Sequence, residues 1–306
     1  MNLRIWGMLL PAICICIAGC GLTGSSFDRV IYANYDDADG FCAQIKDAFA
    51  NKAKADGIQV EFLDAKGDGN MQIDQLNEAI SRGAGAIILL AADGSSIVKT
   101  IEKANDAGIP VITVNRSVAG GRVLRSYSDD KEAGRMQGEY MAAHLPPNAK
   151  IVYLQGDGTQ SSAVGRWEGF KEACLDKRSD IQLLSFVDAG WSKAEALKTM
   201  SLWMSMFPEI NGVVAGNDEM ALGAVAALKG ANRLEGCLVT GVDATPSGLA
   251  AVAAGEMVQT IKQDAKGQGE GALALAEGFL KGAPPSGDMA VPFTSITRDN
   301  AAQAAN

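Results

Sequence analysis

Carboxylates, amides, guanidiniums and aromatics recur in this chain just after short apolar runs, where side chains can converge on a small molecule. Asp39 and Phe41 follow the first run, and Asn115 and Arg116 follow the fourth. A glycine-bearing loop leads on to Arg166, and Trp191 stands beyond the next run. Asn217, Asp243 and Gln263 follow later ones. The chemistry open to such a set is hydrogen bonding to hydroxyl groups. A carboxylate accepts, a guanidinium donates through a planar fork and an amide does both, while each hydroxyl donates and accepts. An aromatic such as Phe41 or Trp191 can cover the apolar face of a ring. Placed polar groups over an apolar floor are the usual anatomy of a small-molecule site.

Catalytic constellations are missing. The one histidine, His144, makes a histidine-rich metal centre impossible and weakens any serine or cysteine triad. It ends a helical stretch before Pro146 and reads as a surface residue at a helix C-terminus. Asp64-Ala65-Lys66-Gly67-Asp68-Gly69 begins like a calcium loop. Lys66 and Gln75, however, stand where that pattern needs Asp or Asn and then Glu, so a turn is expected. Gly156-Asp157-Gly158 lacks the spacing of a dinucleotide or phosphate loop. Asp129 and Asp218 precede helical stretches and read as N-caps. The residues point to binding without a metal or cofactor, not to an enzyme.

The elements that must carry these side chains follow from the apolar pattern. With 306 residues, 47% of them hydrophobic, the chain is long enough for two domains or one large α/β unit. A net charge of −9 argues against nucleic acid as partner. Strands are expected at 30–34, 59–63, 86–90, 111–114, 150–154, 182–187, 212–215, 238–242 and 258–261. Helical periodicity lies between them, as in Phe41, Ile45 and Ala48, or Ile73, Leu76 and Ile80, or Ala221, Val225 and Leu228. Gly57 and Gly108 follow helices where a left-handed cap is needed. Continuous apolar strands alternating with helices indicate parallel sheets covered on both faces. The rhythm repeats on either side of residue 128, so the expected fold is two similar doubly wound α/β lobes. Ligand-facing loops then lie at the carboxyl ends of the strands.

The first twenty residues read as an address. Arg4 precedes an apolar run from Ile5 to Ala18, too short to span a bilayer but fit for the core of a secretory signal. Ile17-Ala18-Gly19-Cys20 resembles a bacterial lipobox, with Cys20 as the lipidated residue. Cleavage before Cys20 removes Cys14 and Cys16 and leaves Cys42, Cys174 and Cys237. These are too scattered for a disulfide framework and read as core thiols. Residues 21–26 form a short tether, so the protein is expected to be exported and lipid-anchored at the cell envelope, in the periplasm or on the outer face of the cell membrane.

Residues 28–300 resemble the bacterial periplasmic sugar-binding proteins of the ribose- and galactose/glucose-binding type. Four segments carry the likeness: Tyr35-Asp36-Asp37 to Phe41, Ile109 to Arg116, Gly216-Asn217-Asp218-Glu219-Met220-Ala221-Leu222-Gly223-Ala224, and Gly241-Val242-Asp243-Ala244-Thr245-Pro246. The resemblance implies the type I periplasmic binding protein fold, two lobes joined by a three-stranded hinge that close around one sugar. Its implied divisions are a signal over 1–19, a lipidated cysteine and tether over 20–27, one lobe from 28–127 with 264–290, and the other from 128–263 with 291–306. It implies ligand contacts from Asp39, Phe41, Asn115, Arg116, Gln160, Arg166, Trp191, Asn217, Asp243 and Gln263. Gln160 and Ser162 stand where galactose/glucose binders have His and Asp, and Ala91 replaces an Asn of ribose binders, which leaves the sugar open.

The implied partners are a monosaccharide or polyol, an ABC permease and its ATPase, with the binding protein itself monomeric. A sensory module presenting ligand to a chemoreceptor or histidine kinase would use the same closed form. The effector core of a lactose-repressor-type regulator shares the fold, but the short tether leaves no room for a helix-turn-helix domain. An NAD-dependent enzyme would need a glycine fingerprint that is missing.

Overall fold

Apolar runs flanked by helices cannot leave either face to water, and they become the inner strands of parallel sheets. The computed structural model describes residues 29–304, so the expected signal, Cys20 and the expected tether lie outside the described residues. The first lobe opens with β1 (Val30–Asn34), α1 (Gly40–Ala55), β2 (Val60–Asp64), α2 (Gly69–Ser81), β3 (Ala86–Leu89), α3 (Val98–Asp106), β4 (Val111–Val114) and β5 (Val123–Tyr127). The second follows with α4 (Asp130–His144), β6 (Lys150–Gln155), α5 (Ser161–Phe170), β7 (Gln182–Asp188), α6 (Lys193–Met206) and β8 (Gly212–Ala215). It continues through α7 (Asp218–Gly230), β9 (Leu238–Asp243), α8 (Pro246–Ala254) and β10 (Gln259–Lys262). Then α9 (Ala265–Leu280) and β11 (Met289–Ala290) return to the first lobe, and β12 (Thr294–Thr297) and α10 (Ala301–Ala304) to the second. The sheet orders are β11-β5-β4-β3-β1-β2 and β12-β10-β9-β8-β6-β7. The chain passes between the sheets after β5, after β10 and between β11 and β12.

Three strands differ from expectation. β5 joins its parallel neighbour β4 through the loop 115–122, with no crossover helix to announce it. β11 is two residues long. β12 buries only Ile296 and pairs antiparallel with β10, so the second sheet is not parallel throughout. The calcium-like segment is a turn, with Lys66 and Gly67 at φ 50° and 77°, and Asp68 caps α2 by accepting from the backbone N–H groups of Asn70 and Met71. His144 is exposed at the end of α4 and stacks on Tyr140.

Both faces of each sheet are covered. α1 buries Cys42, Ile45, Phe49 and Ala53, and α9 sets Ala272, Leu275 and Ala276 against the same face of the first sheet. Burying one large apolar side chain stabilises by about 1.5–3 kcal/mol. In the second lobe Trp203, Met220 and Val252 pack on one face, and Tyr153, Phe170 and Cys174 on the other. All three described cysteines are buried and unpaired. Burial pushes the Cys174 thiol up to about 11 and Cys237 up to about 12, far from thiolate reactivity.

Two local arrangements set up the cleft. First, α4 and α5 cross backbone to backbone. A Cβ at Gly134 would fall on the carbonyl oxygen of Arg166, and one at Gly169 on that of Lys131. This closeness brings Asp130 of α4 against Arg166 of α5. Second, Asp218 is not the cap of α7; Asn217 is, accepting from the Met220 N–H at 2.9 Å. Asp218 turns inward and is fully buried. It accepts from the backbone and hydroxyl of Thr245 at 2.8 and 3.1 Å and from the Thr260 hydroxyl at 2.6 Å. That grip holds the turn after β9, where Asp243 and Ala244 take φ 114° and 53°.

Gly169→Ala should force α4 and α5 apart and lower stability in urea by about 2 kcal/mol or more, since no rotamer relieves a Cβ–backbone clash. Gly230→Ala is the control: it ends α7 with open space around it and should be neutral or stabilising by up to about 1 kcal/mol. A second expectation concerns pH. Burial raises the Asp218 carboxyl from 3.8 to about 6. Its contribution to stability is therefore fully present below pH 3.8 and lost as pH rises through about 6. That loss is roughly 3 kcal/mol. Urea midpoints at pH 4 and pH 7 should show Asp218→Asn gaining on the wild type by that order over the interval.

Candidate functional site

The lobes face each other across the carboxyl ends of their parallel strands, where ligands of open α/β sheets bind. A cavity of about 390 Å³ lies there, within the usual range for a small-molecule pocket. The first lobe lines it with Asp39 and Phe41 at the start of α1, and with Asn115 and Arg116 after β4. The second supplies Arg166 from α5, Trp191 before α6, Asn217 before α7, Asp243 at the end of β9 and Gln263 after β10. The lobes touch beside it, where the backbone N–H of Ser117 donates to the Ser161 hydroxyl at 3.0 Å.

Gln160 alone among the residues read from the sequence does not line the cavity. It is buried behind Trp191: the indole Nε1 donates to Gln160 Oε1 at 2.9 Å, and Gln160 Nε2 donates to Asp157 Oδ2 at 3.1 Å. Both ends of its amide are occupied, so it orients the indole. The opposite constraint comes from Gly156, where any Cβ would fall on the Trp191 ring. Trp191 itself takes φ 63° directly after Gly190 at φ 58°, and Asn115 takes φ 66°. With Asp243, three cavity residues thus sit in a backbone region that non-glycine residues avoid, and such strain collects at binding sites.

Arg166 is the centre of the polar wall and is only 4% exposed. Its Nε donates to Asp130 Oδ1 at 3.0 Å, Nη1 to the Gly216 carbonyl at 2.7 Å and Nη2 to Gln263 Oε1 at 3.0 Å. Asp243 faces it at 4.0 Å, beyond hydrogen-bond range. A guanidinium has five N–H donors, so two remain for a ligand. Burial raises both Asp130 and Asp243; Arg166 opposes the rise in each, and the Asp218 and Asp39 charges add to it at Asp243.

The first lobe is wired to the hinge. Asn115 Nδ2 donates to Gln268 Oε1 at 3.1 Å, and Gln268 Nε2 donates to the Ser128 hydroxyl at 2.8 Å at the first crossing. Arg116 lies over the Tyr35 ring, 4.0 Å from its centroid, and Nη1 donates to the Ala91 carbonyl at 3.2 Å. Asp39 uses Oδ1 to cap α1 through the N–H groups of Phe41 and Cys42. The side chains of Gln44, Glu219 and Thr245 also line the cavity. They escaped the sequence reading because helix interiors and caps of this composition are ordinary. Asp130, second of two adjacent acids, has nothing in its sequence context to set it apart, and only the helix crossing brings it against Arg166.

Comparisons with known proteins agree with this geometry. Residues 30–284 match the model of the periplasmic binding protein domain. The chain is 33% identical over 287 residues to the xylitol-binding protein of Mycolicibacterium smegmatis, covering 93% of this chain and 81% of that one. It is 32% identical over 243 residues to the ribose import binding protein of Haemophilus influenzae, covering 79% and 82%. Among solved structures, an ABC transporter solute-binding protein of Bacillus halodurans with bound myo-inositol superposes with a TM-score of 0.84 at 32% identity, over 92% of this chain and 99% of that one. Two parallel-sheet lobes, a cleft between their strand ends and a family match across most of the described residues place the chain in the periplasmic binding protein family.

Proposed function

We infer that this protein is the solute-binding component of an ABC importer, a lipoprotein that closes two lobes around a monosaccharide or related polyol. The observation that carries the reading is a cavity lined from both lobes by hydroxyl-directed side chains. A ligand bonded to Asp39, Asn115 and Arg116 on one side and to Arg166, Asn217 and Asp243 on the other favours the closed form by its differential affinity for it. Xylitol-, ribose- and inositol-binding relatives support a polyhydroxylated ligand. The lobes are read as 28–127 with 264–290 and 128–263 with 291–306, turning on the three crossings. Export and anchoring through Cys20 rest on the lipobox-like end of the signal, and among the described residues no helix is long and apolar enough to cross a membrane.

A thermal-shift screen over pentoses, hexoses and polyols tests the reading, because a ligand that binds only the native state raises its apparent stability. Failure of every compound to shift the transition overturns it. For a compound that does bind, Asp243→Asn and Arg166→Gln should weaken calorimetric affinity by roughly 10- to 100-fold, the scale of a lost hydrogen bond to a charged group. Unchanged affinity in both would remove these residues from the site. Ligand should also change tryptophan emission through Trp191, since Trp167 and Trp203 lie in the core packing of the second lobe. Trp191→Phe should abolish most of that change.

A further inference from the structure

Asp218 does not line the cavity, yet its bonds run to the backbone that carries Asp243. An ionised carboxylate only accepts, and each of the three groups around this one presents a proton to it. The Thr245 backbone N–H donates to Oδ2 at 2.8 Å, the Thr245 hydroxyl to the same oxygen at 3.1 Å, and the Thr260 hydroxyl to Oδ1 at 2.6 Å. The hydroxyl oxygens are occupied in turn. The Ala244 N–H donates to Thr260 Oγ1 at 3.1 Å, and the Gly248 N–H to Thr245 Oγ1 at 3.0 Å. The two peptide N–H groups that follow Asp243, those of Ala244 and Thr245, thus both end on Asp218, one through Thr260 and one directly. Asp243 and Ala244 take φ 114° and 53°, which residues with a Cβ avoid unless their surroundings hold them. A Cβ at Gly241 or Gly248 would strike the Asp218 carboxylate, so backbone encloses it on two sides.

We propose that Asp218 is a positioning residue for ligand binding, and that a proton taken up there loosens the turn behind Asp243 and weakens the hold on the bound molecule. A protonated acid must present its own proton to groups that already present theirs, so one of the three bonds is given up. The ionised form costs stability near neutrality, and a group kept at such a cost marks a functional position. Among the elements packed around Asp218, Glu219 follows it on α7, Asp243 ends β9, Lys262 ends β10, and Lys193, Glu195 and Lys198 lie on α6; β8 and α8 carry no charge. The charges that couple to it are the acids Glu219 and Asp243. The inference rests on the polyol reading above only through the choice of probe.

Calorimetry between pH 5 and pH 7.5 tests this, using whichever of xylitol, ribose and myo-inositol binds the wild type most tightly. The wild-type Kd should rise about 10-fold from pH 7.5 to pH 5, the limit for one proton taken up near pH 6. Binding at pH 6 should release about half a proton, read from the heats in two buffers of different ionisation enthalpy. Asp218→Asn, a mimic of the protonated acid, should bind roughly 10-fold more weakly at pH 7.5. Most of the slope and of the proton release should be gone from it. Thr260→Val should weaken binding in the same way, and Thr260→Ser should restore it. Asp243→Asn should bind weakly but keep the pH dependence, which separates the two carboxylates. A wild-type Kd indifferent to pH, an undiminished slope in Asp218→Asn, or wild-type affinity at pH 7.5 in Asp218→Asn or Thr260→Val overturns the inference and leaves the polyol reading intact. If none of the three probes binds, a compound active in the thermal-shift screen takes their place. Absence of binding by every compound overturns the polyol reading and this inference together.

Discussion

One buried guanidinium organises the cleft. Arg166 reaches Asp130 on α4, the carbonyl after β8 and Gln263 at the second crossing, with Asp243 after β9 just beyond bonding distance. A charge so deeply placed persists only if its donors are met, since removing either member of a buried pair strands the other. The surrounding structure follows from that need. The glycine contact between α4 and α5 sets the Asp130 distance, the inward Asp218 holds the turn that aims Asp243, and Gln268 ties the first crossing to Asn115. Fold and site are one network.

The architecture was largely readable from the residues, because inner parallel strands are continuous apolar runs and helices between them keep a helical period. Val30–Asn34, Val111–Val114 and Gly212–Ala215 begin and end where the pattern says. What escaped lacked those signals: β5 has no helix before it, β11 is too short, and β12 is an edge strand with one buried apolar side chain. The site was readable for a related reason. Strand ends are topologically marked, so polar residues there could be gathered without knowing the structure.

Finer roles depend on tertiary detail. Gln160 shares its neighbourhood with cavity-lining residues, but a nearby indole claims its amide. Asp218 resembles a cap in sequence, yet the cap falls to the preceding Asn217 and the acid is drawn under the helix. The left-handed conformation of Trp191 leaves no trace in residue type, because a bulky aromatic does not favour it. In each case the deciding partner is far away in sequence.

The return of α9 to the first lobe bears on how the chain acquires its structure during synthesis. The core formed by Ile45 and Phe49 is completed by Ala272, Leu275 and Ala276, more than two hundred positions later. Contacts of such wide separation form slowly, since loop closure must precede them. The amino-terminal lobe therefore cannot finish its core while the nascent chain is emerging. The second lobe, whose helices and strands from 130 to 262 run almost without interruption, is able to fold first as a local unit. The face of the first sheet that α1 covers therefore stays partly open until α9 has been made.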